Sequence, residues 1–406
     1  MPEKSILAPL DGQLITKSAF QRKNSEYRMC SRCVMDTTDP HIEFNGDGVC
    51  SHCTRFDYSI RPLWEKVLNN DGYLNQVISQ IKKEGDGKEY DCIVGLSGGI
   101  DSSYLAIKLK EWGLRPLAVH IDAGWNSELA VKNIEEICKR LEIELVTHVI
   151  DWEQMRDLQL AFIKSSVANQ DTPQDHVFFA ALYKYAIDSK IKYVMEGRNY
   201  ATESVLPTSW GYTAMDLKHI KAIKKAFGKK RNLKLPTVSF FNYNIYFPII
   251  KKMKRVAPLN MISYNKDLVI GELEKFGWSY YGGKHYESRW TKFFQSYYLP
   301  YKFGYDKRKA HLSSLILSEQ KTRDESLREL RKPLVDKKEL SEDIRFVSKK
   351  LNITEDELIK NIEDPVRHHT EFPNNEKFRN RYSATLKVLS KIKKVYLKRK
   401  NKPTKR

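Results

Sequence analysis

The sequence predicts an α/β protein built on a parallel sheet, with a cysteine-rich segment ahead of it and a mainly helical region behind it. Three observations carry this. Past Gly85-Asp86-Gly87, short apolar runs alternate with amphipathic stretches, the pattern of successive β–α units. The run Cys92-Ile93-Val94-Gly95-Leu96 stops at Ser97-Gly98-Gly99 and reopens as Ile100-Asp101-Ser102-Ser103 with helical spacing behind it. Two Cys-x-x-Cys pairs, Cys30/Cys33 and Cys50/Cys53, stand sixteen residues apart before this region.

A chain of 406 residues with 41% apolar composition suffices for two or three domains with a sizeable core. No apolar run reaches the ~20 residues of a membrane-spanning helix. Met1-Pro2-Glu3-Lys4 lacks the basic-then-apolar pattern of a secretory signal. A cytoplasmic protein with no transmembrane segment is therefore expected. The net charge of +19 concentrates in Lys218 to Lys234, Lys251 to Arg255, and Lys391 to Arg406, the last without an acid. Specific nucleic-acid recognition is not expected from it, because a basic surface equally suits a nucleotide-sugar, an anionic membrane face or an acidic partner.

In chain order, residues 1–27 show no sustained period and read as an extended arm. Residues 28–58 form the cysteine knuckle. Each Cys-x-x-Cys turn points two sulfurs at one centre and two turns complete a tetrahedron, so structural Zn²⁺ is the expected occupant of Cys30, Cys33, Cys50 and Cys53. Disulfides, which a cytosolic chain disfavours, and an iron–sulfur cluster are the competing readings. A closed four-thiolate site has no open coordination position, so its role is folding and docking. His41 and His52 read as surface or structural. Leu63, Val67, Leu74, Val77, Ile78 and Ile81 make residues 59–88 a helical connector.

Residues 89–255 carry the β–α units. Cys92–Leu96 is the first strand, followed by a helix with Leu105, Ala106, Leu109 and Trp112 on one face and Gly113 past its end. Leu117–Ile121 is the second strand, and Ser127 caps a helix burying Ala130, Ile134, Ile137, Cys138 and Leu141. Leu145–Ile150 and Ile191–Glu196 supply two more strands, and Tyr246–Ile250 a fifth or its exit. Right-handed crossovers put the strand C-termini along one crevice, where the Ser-Gly-Gly turn, His120–Asp122 and Glu196–Glu203 are expected to meet. Residues 256–385 are richer in aromatics and charge. There Tyr280–His285 and Tyr297-Tyr298 read as loop and packing elements around a pocket mouth, and Thr354 to Glu357 as a capping box. Between Leu340 and Ile362 a helix–turn–helix is conceivable, although a plain helical hairpin is the commoner structure. Residues 386–406 form a basic tail.

The turn after the first strand carries the chemistry. Free backbone N–H groups and a helix N-terminus gather around one small volume, a natural phosphate site. Gly98 and Gly99 allow close backbone approach, while Ser97, Ser102 and Ser103 add hydroxyl donors. Asp101 shares the sign of phosphate, so its partner is a metal ion carried by the nucleotide. An ordinary strand–helix turn is the alternative. No Walker-type Lys accompanies the loop, so charge must be offset by metal and by distant residues. Asp122 follows the second strand, placed either to contact ribose or adenine or to cap the next helix. His120 reads as a buried, hydrogen-bonded histidine, and Cys92 and Cys138 as inert packing. Lys302 to His311 gathers cations and a histidine, a pattern that a solvated helix start shares.

The loop resembles the pyrophosphate loop of the N-type ATP pyrophosphatases, which cleave ATP between the α and β phosphates. In that superfamily a polar loop after a strand ending in a small residue supplies a second metal-binding carboxylate. The resemblance therefore marks Gly197 as nucleotide-binding and Glu203 as a Mg²⁺ ligand beside Asp101. An exposed loop carboxylate is the alternative for Glu203. The double knuckle, Leu96–Ser103, Val194–Asn199 and Lys302–His311 together resemble the N-acetyl sugar amidotransferases of bacterial surface-glycan biosynthesis, over roughly Met29 to Lys332. That family includes enzymes for O-antigen acetamidino sugars and for pseudaminic and legionaminic acid derivatives. The resemblance implies a PP-loop domain of the adenine nucleotide alpha hydrolase kind, with ATP, Mg²⁺ and Zn²⁺. It implies conversion of an acetamido group on a nucleotide-linked sugar to acetamidino, with Lys307 and Arg308 holding a phosphate or carboxylate. Ammonia is expected from separate glutaminase and cyclase-like subunits, since the chain opens without an N-terminal cysteine nucleophile. A tRNA-modifying thiolase is the alternative, weakened because only Cys92 and Cys138 remain for sulfur transfer.

Overall fold

The computed structural model describes residues 27–70, 72–230, 232–282 and 286–385. The arm up to residue 26, the tail at 386–406, and Lys284 and His285 of the aromatic loop lie outside the described residues. The sheet has five parallel strands: β1 (Cys92–Gly95), β2 (Pro116–Asp122), β3 (Leu145–Val149), β4 (Tyr193–Met195) and β5 (Lys254–Val256), in the order β3-β2-β1-β4-β5. The chain steps outward from β1 to β3, then returns to place β4 on the other side of β1. The strand order therefore reverses between β1 and β4, where open parallel sheets bind their ligands.

Strand alternation assigns the two faces. Ile93, Leu117, Val119, Ile121 and Val194 enter one core, while Cys92, Val94, Ala118, Tyr193 and Met195 enter the other. The second core is closed by α1 (Arg61–Leu68), α2 (Tyr73–Gly85), α3 (Ile100–Glu111) and α4 (Glu128–Leu141). α5 (Trp152–Ser165), α6 (Thr172–Asp188) and the amphipathic α8 (Leu217–Phe227), which follows the single-turn α7 (Tyr200–Glu203), cover the first. Boundaries follow local chemistry. Ser127 accepts from Ala130 N at 3.1 Å and Asp151 from Gln154 N at 3.2 Å, each satisfying a first-turn donor.

Tyr246–Ile250 is not a strand. It belongs to a wide helical turn, Asn242–Ile250, with Pro248 inside it. A proline cannot donate to a ladder, and only Phe247 of the run is buried. The fifth strand is instead the short polar edge Lys254–Val256, whose Lys254 N donates to Lys192 O at 2.7 Å.

After β5 come α9 (Lys266–Lys275), a helical run through Arg289–Phe293 and Leu299–Phe303, α10 (Lys307–Leu317), α11 (Arg323–Leu330), α12 (Lys337–Leu351) and α13 (Glu355–Glu363). The α12–α13 pair is a helical hairpin rather than a groove reader. α12 buries Leu340, Ile344, Val347 and Leu351 against the body of the molecule, including α5. At its head, Thr354 accepts from Glu357 N at 3.1 Å, so the N-cap forms where the sequence put it. Among the described residues no helix is long and apolar enough to cross a membrane.

Candidate active site

The turn between β1 and α3 is held open by backbone geometry. Gly98 has φ +80°, and a Cβ there would meet Ala130 O at 2.5 Å. Gly98 O in turn accepts from Trp278 Nε1 at 2.9 Å, so a segment far along the chain clamps the loop. Ser97 Oγ and Ser102 Oγ lie 3.2 Å apart, and Gly99 N donates to Ser97 Oγ at 3.2 Å. Ile100 N donates to Tyr281 Oη at 3.2 Å. A cavity of about 340 Å³ opens here, its walls including Ser97, Gly99, Asp101, Ser102, Gly197, Glu203 and His311. Ser103 is buried in α3, one helical step from Ser102, and does not line the cavity.

Asp101 and Glu203 reach this cavity from different elements, α3 and α7. Asp101 Oδ1 accepts from Asn199 Nδ2 at 3.0 Å and from the Tyr264 hydroxyl. Asn199 also caps α7, accepting from Thr202 N at 2.9 Å, so one side chain positions both carboxylate-bearing elements. Burial, reinforced by the Asp101 charge, raises the Tyr264 phenol well above its ordinary range and keeps it a donor. Gly197 sits where β4 meets the loop, and a Cβ there would stand 3.1 Å from Asp101 C. Asp101 and Glu203, singled out in the sequence, both line the cavity; Tyr264 and Glu287, which line it too, and Trp278, which clamps the loop, were not singled out. Each is a single polar or aromatic residue without periodic signal.

A larger cavity of about 610 Å³ shares Ser97, Phe179, Gly197, Arg198 and Glu287 with the first. Its walls include the C-terminal ends of β1, β2 and β4, together with Asp171, Asp175, Phe178, Arg255 and Lys307. The loop, the end of β2 and the segment after β4 thus converge. His120 lines this cavity as a brace, with Nδ1 2.9 Å from Leu96 O and Nε2 3.1 Å from Asn126 Nδ2. Asp122 is not in its wall; its Oδ1 accepts from Gly124 N at 2.7 Å and Asn126 Nδ2 at 3.2 Å, shaping the turn after β2. Cys92 and Cys138 line neither cavity, and burial pushes both thiols up, Cys138 to about 12.

α10 distributes the basic block by helical rotation. Lys307 faces the larger cavity. Arg308 instead pairs with Asp306 at 2.8 Å and donates to Lys332 O at 2.8 Å, tying off the end of α11 rather than facing either cavity. Lys309 is buried in an ion pair with Asp36 of the cysteine knuckle. His311 has Nδ1 3.2 Å from Thr202 O and Nε2 3.3 Å from Lys266 Nζ. Both contacts are satisfied by a neutral ring that donates from Nδ1 and accepts at Nε2.

The four knuckle sulfurs, all buried, lie within 4.8 Å of one another, with separations of 3.9 Å (Cys30–Cys53), 3.6 Å (Cys33–Cys50) and 3.7 Å (Cys50–Cys53). A tetrahedron with the usual Zn–S length of ~2.3 Å has edges of about 3.8 Å, so this donor set fits Zn²⁺. His52 is not among the ligands and pairs with Asp39 at 2.7 Å. Arg323 donates to Cys33 O at 3.1 Å and Cys30 O at 3.0 Å, fastening α11 to the knuckle.

Residues 73–237, which carry β1 to β4 and the loop, match the family model described as NAD synthase. Residues 287–387 match the model described as LPS biosynthesis protein WbpG-like, C-terminal domain. An uncharacterized protein of Methanocaldococcus jannaschii is 34% identical over 121 residues, covering 29% of this chain and 41% of that protein. A tRNA(Ile)-lysidine synthase of Chlamydia pneumoniae is 33% identical over 116 residues, covering 28% of this chain and 34% of that enzyme. The chain thus spans less than half the length of these curated relatives. Among solved structures, an NH3-dependent NAD synthetase from Campylobacter jejuni aligns over 53% of this chain and 95% of its own, with 15% identity and TM-score 0.28. An NMN synthetase from Francisella tularensis aligns over 54% and 93%, with 17% identity and TM-score 0.28.

Proposed function

We propose that the chain is an ATP-dependent amidotransferase that converts an acetamido group of a nucleotide-linked sugar to acetamidino in surface-glycan biosynthesis. The observation that carries the reading is the shared wall between the two cavities. A candidate phosphate cradle bearing two carboxylates thus adjoins a chamber lined by Lys307. An amide oxygen in that chamber attacks the α-phosphorus of ATP, and pyrophosphate departs into the cradle formed by Ser97, Gly99 and Ser102, whose backbone turn Gly98 sets without lining the cavity. Ammonia then adds to the activated carbon, loses a proton, and AMP leaves with the former carbonyl oxygen. Asp101 and Glu203 are the oxygen donors that would hold Mg²⁺, which offsets charge on the departing pyrophosphate. Lys307 lines the chamber beside Arg198 and Arg255 and would meet the sugar nucleotide's phosphate or carboxylate, whereas Arg308, paired with Asp306, serves structure. Ammonia comes from separate glutaminase and cyclase-like subunits in this reading, as in the family it resembles.

The test is an acetamido sugar nucleotide carrying ¹⁸O in its amide carbonyl, incubated with ATP, Mg²⁺ and ammonium. The expected result is label in AMP and an amidine product. The likeness to tRNA(Ile)-lysidine synthases favours a second reading, in which a nucleobase carbonyl is activated for a nitrogen nucleophile. AMP release that requires tRNA and ignores every acetamido sugar would replace the first reading with that one. Sulfur transfer has less support, because both remaining cysteines are sealed away from the cavities.

A further inference from the structure

The turn that replaced the expected fifth strand leaves apolar side chains in water. Phe241 is 52% exposed, Ile249 62% and Ile250 57%, and the run Pro248-Ile249-Ile250-Lys251-Lys252 is exposed throughout. This tip is not slack chain. Phe247 beneath it is buried and stacks on Tyr183 at 4.6 Å. Lys251 N donates to Tyr246 O at 2.8 Å and Met253 N to Phe247 O at 2.9 Å. Two bulky isoleucines are thus held outward by a rigid base, followed at once by two lysines.

A second element extends the patch. The helical segment 376–385 packs on the start of the turn, Phe378 lying 4.9 Å from Phe240 and Tyr382 Oη donating to Asn244 O at 3.1 Å. Phe378 is itself 59% exposed and stands between the exposed Lys377 and Arg381. The sequence beyond repeats this chemistry. Residues 386–406 mix apolar residues such as Leu386, Leu389, Ile392 and Tyr396 with many lysines and include no acidic residue.

We infer that this face attaches the protein to an anionic lipid bilayer, with Phe241, Ile249, Ile250 and Phe378 entering the headgroup boundary and the flanking cations meeting lipid phosphate. Exposed apolar residues rimmed by lysine are what interfacial binding requires, and neither signal alone anchors a protein stably. A protein partner for so basic a rim would have to be acidic, and the exposed tip Pro248-Ile249-Ile250 carries no side-chain hydrogen-bonding group of the kind a specific protein interface uses. The inference is independent of the proposed reaction.

Co-sedimentation of the full chain with phosphatidylglycerol–phosphatidylcholine vesicles, against phosphatidylcholine alone, tests it. Binding is expected to the anionic vesicles only and to fall as salt rises. Ile249→Ser/Ile250→Ser should weaken it about tenfold or more through lost apolar burial. Lys251→Gln/Lys252→Gln should weaken it severalfold and flatten the salt dependence. Circular dichroism and ATP cleavage of each variant control for folding. Three outcomes overturn the inference: no binding to either vesicle, anionic binding unaffected by the isoleucine variants, or a dimer in solution that the isoleucine variants dissociate.

Discussion

Gly98 and Asp101 show how little side chain the proposed phosphate cradle needs and how strictly it is placed. At Gly98 a methyl group would overlap Ala130 O at 2.5 Å, and φ of +80° strains any L-residue further. Neither the α4 backbone nor the loop can yield without moving the other. Gly98→Ala should therefore reduce AMP formation by more than about tenfold while the sheet survives, since left-handed strain of ~1–2 kcal/mol lies within a normal stability margin. A variant as active as the wild type would show that the loop does not hold pyrophosphate. Asp101→Asn asks about charge alone, because the amide keeps the shape that Asn199 and Tyr264 contact. Loss of about 10²–10³ in turnover is expected, at unchanged thermal stability, if Asp101 holds the metal that offsets pyrophosphate. Activity restored by raised Mg²⁺ would support that role, and wild-type turnover would refute it.

Among the elements, α10 joins the parts of the molecule. Residues on a helix point about 100° apart per step, so neighbours in sequence separate in space. Lys307, Arg308, Lys309 and His311 therefore reach a cavity, a helix end, the knuckle and the phosphate cradle respectively. This is also where sequence reading stopped. Adjacency put Ser102 with Ser103, and family resemblance put Lys307 with Arg308, and rotation divides each pair. β1, β2 and β4 were legible because buried parallel strands are nearly unbroken apolar runs, and the edge strand β3 because Leu145, Val146 and Val149 still mark it. β5 was not, since Lys254 and Arg255 are exposed on a short edge, while the apolar run before it imitates a strand. The Lys309–Asp36 pair lay beyond reach because it joins residues 273 positions apart. It is also the most exacting contact on the helix: both side chains are at most 2% exposed. Lys309→Met strands a buried carboxylate and should lower stability by about 3–5 kcal/mol in denaturant titration. Adding Asp36→Asn should recover part of that, because an amide tolerates burial and still meets Thr38 and Tyr27. No recovery would mean that the lysine acts by packing alone.

At the scale of the whole molecule, that helix contacts both the knuckle and the element that carries Glu203. No knuckle residue lines either of the joined cavities, yet Asp36 grips α10, Val34 N donates to Ser313 Oγ at 3.3 Å, and Arg323 binds two knuckle carbonyls. On its other side α10 supports α7, with Ser318 Oγ donating to Ala201 O at 2.8 Å and Val205 N donating to Ser314 Oγ at 3.0 Å. α7 carries Glu203. A structural zinc contributes its binding energy to folding, so removing it withdraws support from one face of α10 and loosens the carboxylate on the other. Metal analysis should find one zinc per chain. Stripping it with a strong chelator, or Cys53→Ser, should make the knuckle protease-sensitive and lower the melting temperature. ATP cleavage should fall with the structure, although Mg²⁺ is resupplied in excess. Zinc added back should restore both together in the stripped protein. If activity survives while the knuckle is digested, α10 does not couple the two ends; if the melting temperature never moves, the four cysteines hold no structural metal.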